Sequence, residues 1–247
     1  MCTILLAWQC VAGAPVVLAA NRDELVQRPS APPGVLSESP VVLGGRDLVA
    51  GGTWLAVALD GRLCAVTNRR VAARDELTRD PTRRSRGSIP LDVLRASTDA
   101  GALELLAGLR PGLYNPVDVL YVSRRRAAVA HLQDGGSALV VELAPGPHVL
   151  TVGDVDDSTR AKDRALRATL TRIVASAADA DSLLAGLETL LGNHESPSGD
   201  ALDATCIHGD VYGTVSASTV VFDGRRLRYR HAAGRPCVTP FDGVAVP

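Results

Sequence analysis

The sequence of 247 residues has few aromatic residues and almost no lysine. It contains two Phe, two Trp and four Tyr, and of its 26 basic residues only Lys162 is a lysine. So few aromatic side chains give no indication of a large aromatic pocket. The net charge of −1 argues against a general role at nucleic acids or membrane surfaces, because those surfaces are anionic.

The cysteines also exclude some classes of protein. There are five of them, an odd number, and none is in C-x-x-C spacing. The sequence therefore predicts neither a disulfide framework nor a structural zinc site, and it favours a reducing, cytoplasmic compartment. The first apolar run lacks a basic segment before it, and no window approaches the roughly 18 apolar residues of a membrane span. We expect neither a signal peptide nor a membrane segment.

Several catalytic and cofactor motifs are missing. The sequence has no G-x-x-x-x-G-K-[ST], no strand-linked G-x-G-x-x-G, no H-E-x-x-H and no G-x-S-x-G. Cys206 and His208 would share one face of a strand, but a metal needs a third and a fourth ligand that the sequence does not show. We interpret this pair as structural, and the other histidines as isolated: His131, His148, His194 and His231. The sequence thus predicts no metal and no cofactor.

The most informative stretch is the N-terminal one. Cys2 precedes an apolar run, a turn signal at residues 12–15 and a second apolar run. The polar cluster Asn21-Arg22-Asp23-Glu24 follows. In a hairpin with this turn, paired positions sum to about 27, give or take a few for an unknown turn type, so Cys2 should lie opposite residues near 23 to 25. The hairpin would place an arginine and two carboxylates beside this cysteine.

That placement suits a nucleophile. Met1 is expected to be removed because a small residue follows it, which would leave Cys2 with a thiol and a free α-amine. These groups titrate near roughly 8.5 and 7.7–8.0 when unperturbed, so the amine can take the thiol proton. An adjacent guanidinium favours the thiolate, and an adjacent carboxylate orients the ammonium. A buried cysteine beside a solvated turn is the alternative.

The rest of the chain alternates between groups of strands and groups of helices. An Asp-Gly turn at residues 60–61 predicts a hairpin that ends on Thr67 and Asn68. We expect an extended loop at residues 27–34 and an exposed excursion at 69–87. We interpret the arginines of 83–86 as solvated, and contact with an anionic substrate is the alternative. Helices are expected from Ser88, after a Ser158 cap, and at about 181–191. This order predicts an α+β fold, two mainly antiparallel sheets with helices outside, and one domain over residues 1–247.

Four blocks of the chain, in order, match a known family. Residues 20–24 match the signature that names the NRDE family, also called the transport and Golgi organisation type-two family. Residues 51–55 match its G-G-T-W block, and Thr67-Asn68 matches the end of its T-N strand. Residues 208–216 resemble its C-terminal block, and the Met-Cys-Thr start fits as well. On these blocks together the chain is identified as a member of that family.

The family resembles cysteine N-terminal-nucleophile hydrolases such as bile salt hydrolases and penicillin V acylases. The resemblance implies a four-layer αββα fold with two stacked sheets, and amide hydrolysis or acyl transfer. It implies that Cys2 attacks an acyl carbonyl, that Asp23 holds the α-amine and that Asn68 contributes to the oxyanion hole. Arg22 lies near the arginine of those hydrolases, which stands two residues before the Asn. The other residues of these blocks predicted to contact substrate are Asn21, Thr53 and Trp54.

One departure leaves two functions open. Family members often carry Ser-Asn after the mid-chain strand, where this chain reads Thr151-Val152-Gly153-Asp154. Either a backbone N–H substitutes for that asparagine or the oxyanion hole is incomplete. The first function is an amidohydrolase or acyltransferase acting on a small acylated amine. The second is a non-catalytic carrier or chaperone for haem or an acyl lipid. The sequence leaves the oligomeric state open, including a homo-oligomer.

Overall fold

A computed structural model describes residues 2–70 and 80–247. Met1, whose removal the sequence predicts, and residues 71–79 of the predicted excursion lie outside the described residues. The chain divides into two compact units, which are described separately. Unit 1 comprises residues 1–28, 145–151 and 155–247, and unit 2 comprises residues 29–144 and 152–154. The prediction of a single domain stays a prediction.

Unit 1 contains a sheet of six strands covered on one face by two helices. The strand order is β10-β1-β2-β11-β12-β13, and all pairs are antiparallel. Side chains at alternate positions of β1 and β2, such as Leu5 and Val17, pack against Leu170 and Leu187 of the helices. The elements are β1 (Thr3–Val11), β2 (Ala14–Leu25), β10 (Gly146–Leu150), α3 (Ala161–Ser176), α4 (Ala180–Leu191), β11 (Tyr212–Phe222), β12 (Leu227–Ala232) and β13 (Asp242–Gly243).

The predicted N-terminal hairpin forms, with a register at the lower edge of the predicted range. Thr3 pairs with Asn21, so paired positions sum to 24 over most of the hairpin. The turn is shorter than predicted, because Val11 already pairs with Ala14. The register then shifts between Trp8 and Val11, where Gln9 has a positive φ of 55°. Such a bulge adds a residue to one strand, and its position cannot be predicted from composition alone.

The two helices of unit 1 differ in how they begin. Asp179 and Ser182 form a reciprocal capping box at the start of α4, close to the predicted start of this helix. The prediction that Ser158 caps α3 is wrong, because the N-cap residue is Arg160 and its side chain makes no capping hydrogen bond. Arg160 instead pairs with Asp163 in the first turn, at 2.9 Å.

Unit 2 contains a sheet of seven strands with two helices on one face. The strands follow chain order from β3 to β9, and all pairs are antiparallel. Its helix-side core includes Ile89, Leu94, Leu106 and Tyr121. The elements are β3 (Ser30–Glu38), β4 (Val41–Asp47), β5 (Leu55–Ala58), β6 (Leu63–Asn68), α1 (Ile89–Leu94), α2 (Asp99–Ala107), β7 (Val117–Val122), β8 (Ala127–Leu132) and β9 (Leu139–Glu142). The α+β prediction is therefore confirmed.

Two segments predicted as loops are ordered elements of unit 2. Much of the predicted loop at 27–34 belongs to strand β3, which tolerates Pro32 and Pro33 because it is an edge strand with a register shift there. Of the arginines at 83–86, Arg84 is exposed as predicted, whereas Arg83 and Arg86 are partly buried. Arg83 and Arg86 donate to the carbonyls of Tyr114 and Pro116, each at 3.0 Å. Among the described residues, no helix is long and apolar enough to cross a membrane.

The G-G-T-W block has a packing role in unit 2. The Thr53 N–H donates to the Gly87 carbonyl at 2.9 Å, so two stretches of main chain lie side by side. A Cβ at position 52 would come within 2.7 Å of the Gly87 Cα, which real Cβ atoms do not approach. Gly52 is therefore required by the backbone contact.

Gly52→Ala is expected to destabilise the protein by about 1–3 kcal/mol, the usual cost of overpacking. Chemical denaturation checks this value. Gly34→Ala is the matched control, since a Cβ at position 34 meets nothing within 4 Å. Equal stability of the two variants would contradict the packing role.

Candidate functional site

The Cys2 thiol lies in a buried, polar corner of unit 1. Only 8% of the residue is exposed, and it directly precedes β1. The backbone N–H of Asp23 donates a hydrogen bond to the sulfur, and the charges of Arg22 and Asp23 act on it. Unit 1 thus brings together three of the predicted catalytic residues: Cys2, Arg22 and Asp23.

Asp23 is held by strand β11, which pairs with β2 on the side away from β1. The Thr214 hydroxyl donates to Asp23 Oδ1 at 2.6 Å, and the Tyr212 hydroxyl donates to the Asp23 carbonyl at 3.0 Å. Thr214 Oγ1 also accepts from the Ile207 N–H at 2.9 Å. These contacts explain the C-terminal block, since both Tyr212 and Thr214 belong to it. Strand register alone places Thr214 directly opposite Asp23.

Asn21 is fully buried and ties β2 to two other segments. Its Nδ2 donates to the carbonyls of Leu191 at 2.9 Å and Thr205 at 2.8 Å. Its Oδ1 is buried and has no hydrogen-bond donor among residues 2–70 and 80–247. The amide group therefore anchors the strand, and the predicted contact of Asn21 with substrate stays a prediction.

Lys162 is a residue of this site that sequence reasoning missed. The only lysine of the chain is 2% exposed, and its ammonium donates to the Ala204 carbonyl at 3.0 Å. Burial lowers the pKa of Lys162, while the negative charge of Asp23 acts in the opposite direction. The available signal in the sequence was that Lys162 is its single lysine. A buried cation needs a nearby carboxylate, and this need places Lys162 near acidic side chains.

Lys162→Met is expected to change how stability depends on pH. Burial lowers the pKa of Lys162 in the folded state. Between that lowered value and about 10.4, the unfolded chain binds a proton that the folded chain does not, so wild type gains stability over the variant as pH rises. The gain is at most about 1.4 kcal/mol per pH unit. Urea titrations over several pH values measure it, and a difference that is flat with pH would contradict it.

The pKa of the Cys2 thiol bears on its chemistry. Burial raises this pKa, and the Asp23 carboxylate raises it further, whereas the Asp23 N–H and the Arg22 guanidinium lower it. Burial is the largest of these effects. A thiol with a raised pKa is protonated at neutral pH and needs a base before it can attack.

Asn68 belongs to unit 2, where it ends strand β6 and pairs with Val117. The next residue, Arg69, forms ion pairs with the buried Asp118 at 2.9 Å and with Asp154 at 2.5 Å. Burial raises the pKa of Asp118, while His131 and Arg69 lower it. Asp154, in the stretch where family members often carry an asparagine, is therefore the partner of a guanidinium.

Thr53 and Trp54 have structural contacts within unit 2. Thr53 is buried, and its hydroxyl donates to the Leu55 carbonyl at 2.9 Å. Trp54 is partly buried and packs against the helix-side core. A role for either side chain in binding substrate stays a prediction.

A second group of reactive side chains lies elsewhere in unit 1. His194, predicted to be isolated, lies with Cys206, His208 and Cys237, and their ligand atoms are all within 4.8 Å of one another. The sequence signal was limited to Cys206 and His208. Cys237 is 31 positions from Cys206, so only the folded chain brings it there.

Three solved structures show what fold this is. An N-acylethanolamine-hydrolyzing acid amidase ortholog from Caenorhabditis elegans has a TM-score of 0.60 at 15% identity, over 90% of this chain and 93% of that chain. Penicillin V acylase from Agrobacterium tumefaciens has 0.55 at 10% identity, over 94% and 82%. A mutant of the conjugated bile acid hydrolase from Clostridium perfringens has 0.51 at 14% identity, over 100% and 97%.

The fold is that of the N-terminal-nucleophile hydrolases, as predicted. A sequence model of Transport and Golgi organisation 2 matches residues 1–229, and the chain belongs to that family. A Mus musculus homolog is 29% identical over 142 residues, 55% of this chain and 50% of its own length. A Homo sapiens homolog is 25% identical over 231 residues, 84% and 82%. The chain spans about half the length of the Mus musculus and Bos taurus relatives, 50% in each case.

Proposed function

We propose that this protein is a cysteine amidohydrolase or acyltransferase that acts on a small acylated amine. The carrying observation is the position of the buried Cys2 beside the end of β2, where Thr3 pairs with Asn21 and where the Asp23 N–H and the Arg22 guanidinium both lower the pKa of the thiol. The Asp23 carboxylate beside this sulfur is itself fixed by Thr214. A nucleophile, a cation and an oriented carboxylate form the constellation that covalent acyl transfer requires.

The mechanism begins with the removal of Met1, which frees the α-amine of Cys2. The amine takes the thiol proton, as the raised pKa of this thiol requires. The sulfur then forms a bond to the acyl carbon, and the tetrahedral oxyanion collapses as the C–N bond breaks. The leaving amine takes the proton from the α-ammonium.

The second half of the reaction releases the acyl group from its thioester. The α-amine takes a proton from water, or from a second amine in acyl transfer, as that nucleophile attacks the thioester carbon. The C–S bond breaks, and the thiolate recovers the proton. Asp23 orients the α-ammonium through both halves, and Arg22 stabilises the thiolate.

Asn68→Ala is expected to lower kcat/KM by about 10²–10³-fold, the usual cost of losing an oxyanion-hole donor. The role proposed for Asn68 rests on the family resemblance. Steady-state kinetics on any substrate that acylates Cys2 measure the effect. Asn68→Asp tests the amide specifically, since it keeps the size and loses the donor. Unchanged kinetics in both variants would remove Asn68 from the mechanism.

The decisive experiment combines intact-mass analysis with a panel of acyl amides. The panel contains an N-acylethanolamine, penicillin V and a conjugated bile acid. These compounds are chosen because they appear in the names of the three proteins of similar fold. We expect the native protein to lack Met1 and to gain the acyl mass of at least one compound at Cys2.

Two results would oppose the proposal. Native protein that retains Met1 has no α-amine on Cys2, and the mechanism fails. A compound that binds wild type and Cys2→Ala equally, without an adduct or turnover, supports the non-catalytic carrier instead. Haem and an acyl lipid are included as ligands for that comparison.

A further inference from the structure

We propose that His194, Cys206, His208 and Cys237 form a binding site for one Zn²⁺ ion in unit 1. The side chains supply two sulfurs and two imidazole nitrogens, the donor set of many structural zinc sites. Their ligand atoms all lie within 4.8 Å of one another. The proposal is independent of the acyl chemistry, because none of the four residues takes part in it.

The distances within the cluster fit a tetrahedral ion. With Zn–S of about 2.3 Å and Zn–N of about 2.0 Å, a tetrahedron separates two sulfurs by about 3.8 Å and a sulfur from a nitrogen by about 3.5 Å. The Cys206 and Cys237 sulfurs are 3.6 Å apart, and His208 Nε2 is 3.2 Å from the Cys237 sulfur. The widest separation in the set must shorten, and rotation of the exposed imidazoles can supply that movement.

Hydrogen bonds within the chain hold the segments that carry the ligands together. The Cys206 N–H donates to the Asn193 carbonyl at 2.8 Å, which joins the segments of Cys206 and His194. Arg235 Nη2 donates to the Gly209 carbonyl at 3.2 Å, which joins the segments of Cys237 and His208. A site held in place before the ion arrives binds it more tightly, because less ordering is required on binding.

Glycines permit this close approach. A Cβ at position 192 would lie 3.3 Å from the Cys237 Cα, tighter than most real contacts. A Cβ at position 213 would lie 2.8 Å from the Ile207 carbonyl oxygen. The chain can therefore bring three separate segments to one point, each carrying at least one ligand.

Zinc is the ion that this donor set favours. Thiolate and imidazole together suit Zn²⁺, whereas Mg²⁺ and Ca²⁺ require oxygen ligands. Four protein ligands close the tetrahedron, which is typical of structural and not of catalytic zinc. Binding displaces the two thiol protons to solvent, so zinc uptake should release about two protons per ion near neutral pH.

The ion would join segments that also hold the candidate active site. Cys206 follows Thr205, whose carbonyl accepts from Asn21, and precedes Ile207, whose N–H donates to Thr214. Thr214 in turn donates to Asp23. Zinc at this cluster should therefore raise the melting temperature of the protein.

The test measures metal content in wild type and single variants. We expect about one zinc per chain by elemental analysis after a wash with a weak chelator, as for other four-ligand sites. Each of the variants Cys237→Ser and His208→Ala should bind zinc at least about 100-fold more weakly than wild type. This loss exceeds the one expected when a residue that only supports a ligand is replaced. Cys10→Ser is the matched control, a half-buried cysteine of the same unit outside the cluster, and should keep its zinc.

Cobalt provides a readout that does not depend on a variant folding. Co²⁺ added to the wild-type apoprotein should give the visible absorption of tetrahedral cobalt with a thiolate charge-transfer band, and Zn²⁺ should abolish both. His194→Ala and His208→Ala change exposed side chains, so their folding is not at risk.

Three outcomes would overturn the proposal. Metal that is substoichiometric and lost equally from wild type and variants would be an adventitious ion only. A Cys206–Cys237 disulfide in protein purified without reductant, two mass units lighter than the dithiol, would consume the sulfurs. Copper or iron at one per chain, with zinc unable to displace it, would show a different metal site.

Discussion

Cys2→Ala is expected to abolish acyl-adduct formation and to lower turnover by about 10⁴-fold or more. The thiol is the only nucleophile that the protein itself supplies in the proposed mechanism, and alanine removes it without adding volume to a buried corner. Alanine is also small, so Met1 should still be removed and the α-amine should remain. The variant therefore separates loss of the thiol from loss of the amine.

Mass spectrometry of the adduct and steady-state kinetics measure this effect together. Cys10→Ser is the control, since Cys10 lies on the strand that Cys2 directly precedes and is only half-buried. It should keep both the adduct and the turnover. Turnover that persists in Cys2→Ala would refute the nucleophile, whatever the fold.

Asp23→Asn is expected to lower turnover by about 10³–10⁴-fold, as when the carboxylate that orients a catalytic base is replaced. The same change should lower stability. Lys162 is buried, and the carboxylate of Asp23 is the charge that most favours its protonated form. The carboxylates of Asp203 and Asp163 still act on Lys162, so the loss should stay below the roughly 3–5 kcal/mol of a buried charge left without any partner.

The double variant Asp23→Asn with Lys162→Met distinguishes these two effects. Methionine removes the stranded cation, so the double variant should recover much of the stability lost in Asp23→Asn. Its turnover should stay low, because the α-ammonium is still not oriented. Urea denaturation and kinetics on the four proteins of the cycle provide the data. Additive stability losses would show that Lys162 and Asp23 do not interact.

The local elements were largely predictable from sequence because their signals are local. Apolar runs, an Asp-Gly turn and helical spacing identified most strands and helices, including α4 at about residues 181–191. The errors occurred where neighbours decide the outcome. The prolines of β3 predict a loop. A strand forms there because β3 lies at the edge of its sheet, where proline, which lacks an N–H donor, is accepted. Arg83 and Arg86 were predicted to be solvated. The carbonyls to which they donate lie about 30 positions away along the chain, so a local pattern does not show these partners.

The candidate site shows the same division. The sequence by itself determined that Cys2 starts a hairpin and that Asn21, Arg22 and Asp23 end its second strand, because a hairpin pairs residues close in the chain. The tertiary structure decided the strand register, the hydrogen bond from Thr214 to Asp23 and the burial of Lys162.

The cysteine–histidine cluster lies furthest from sequence reasoning. Its four ligands come from three segments, and no spacing rule relates Cys237 to Cys206 across 31 positions. The sequence determined which residues can bind or react, since that depends on side-chain chemistry. Only the tertiary structure decided which of them meet, because long-range proximity depends on how sheets and loops pack.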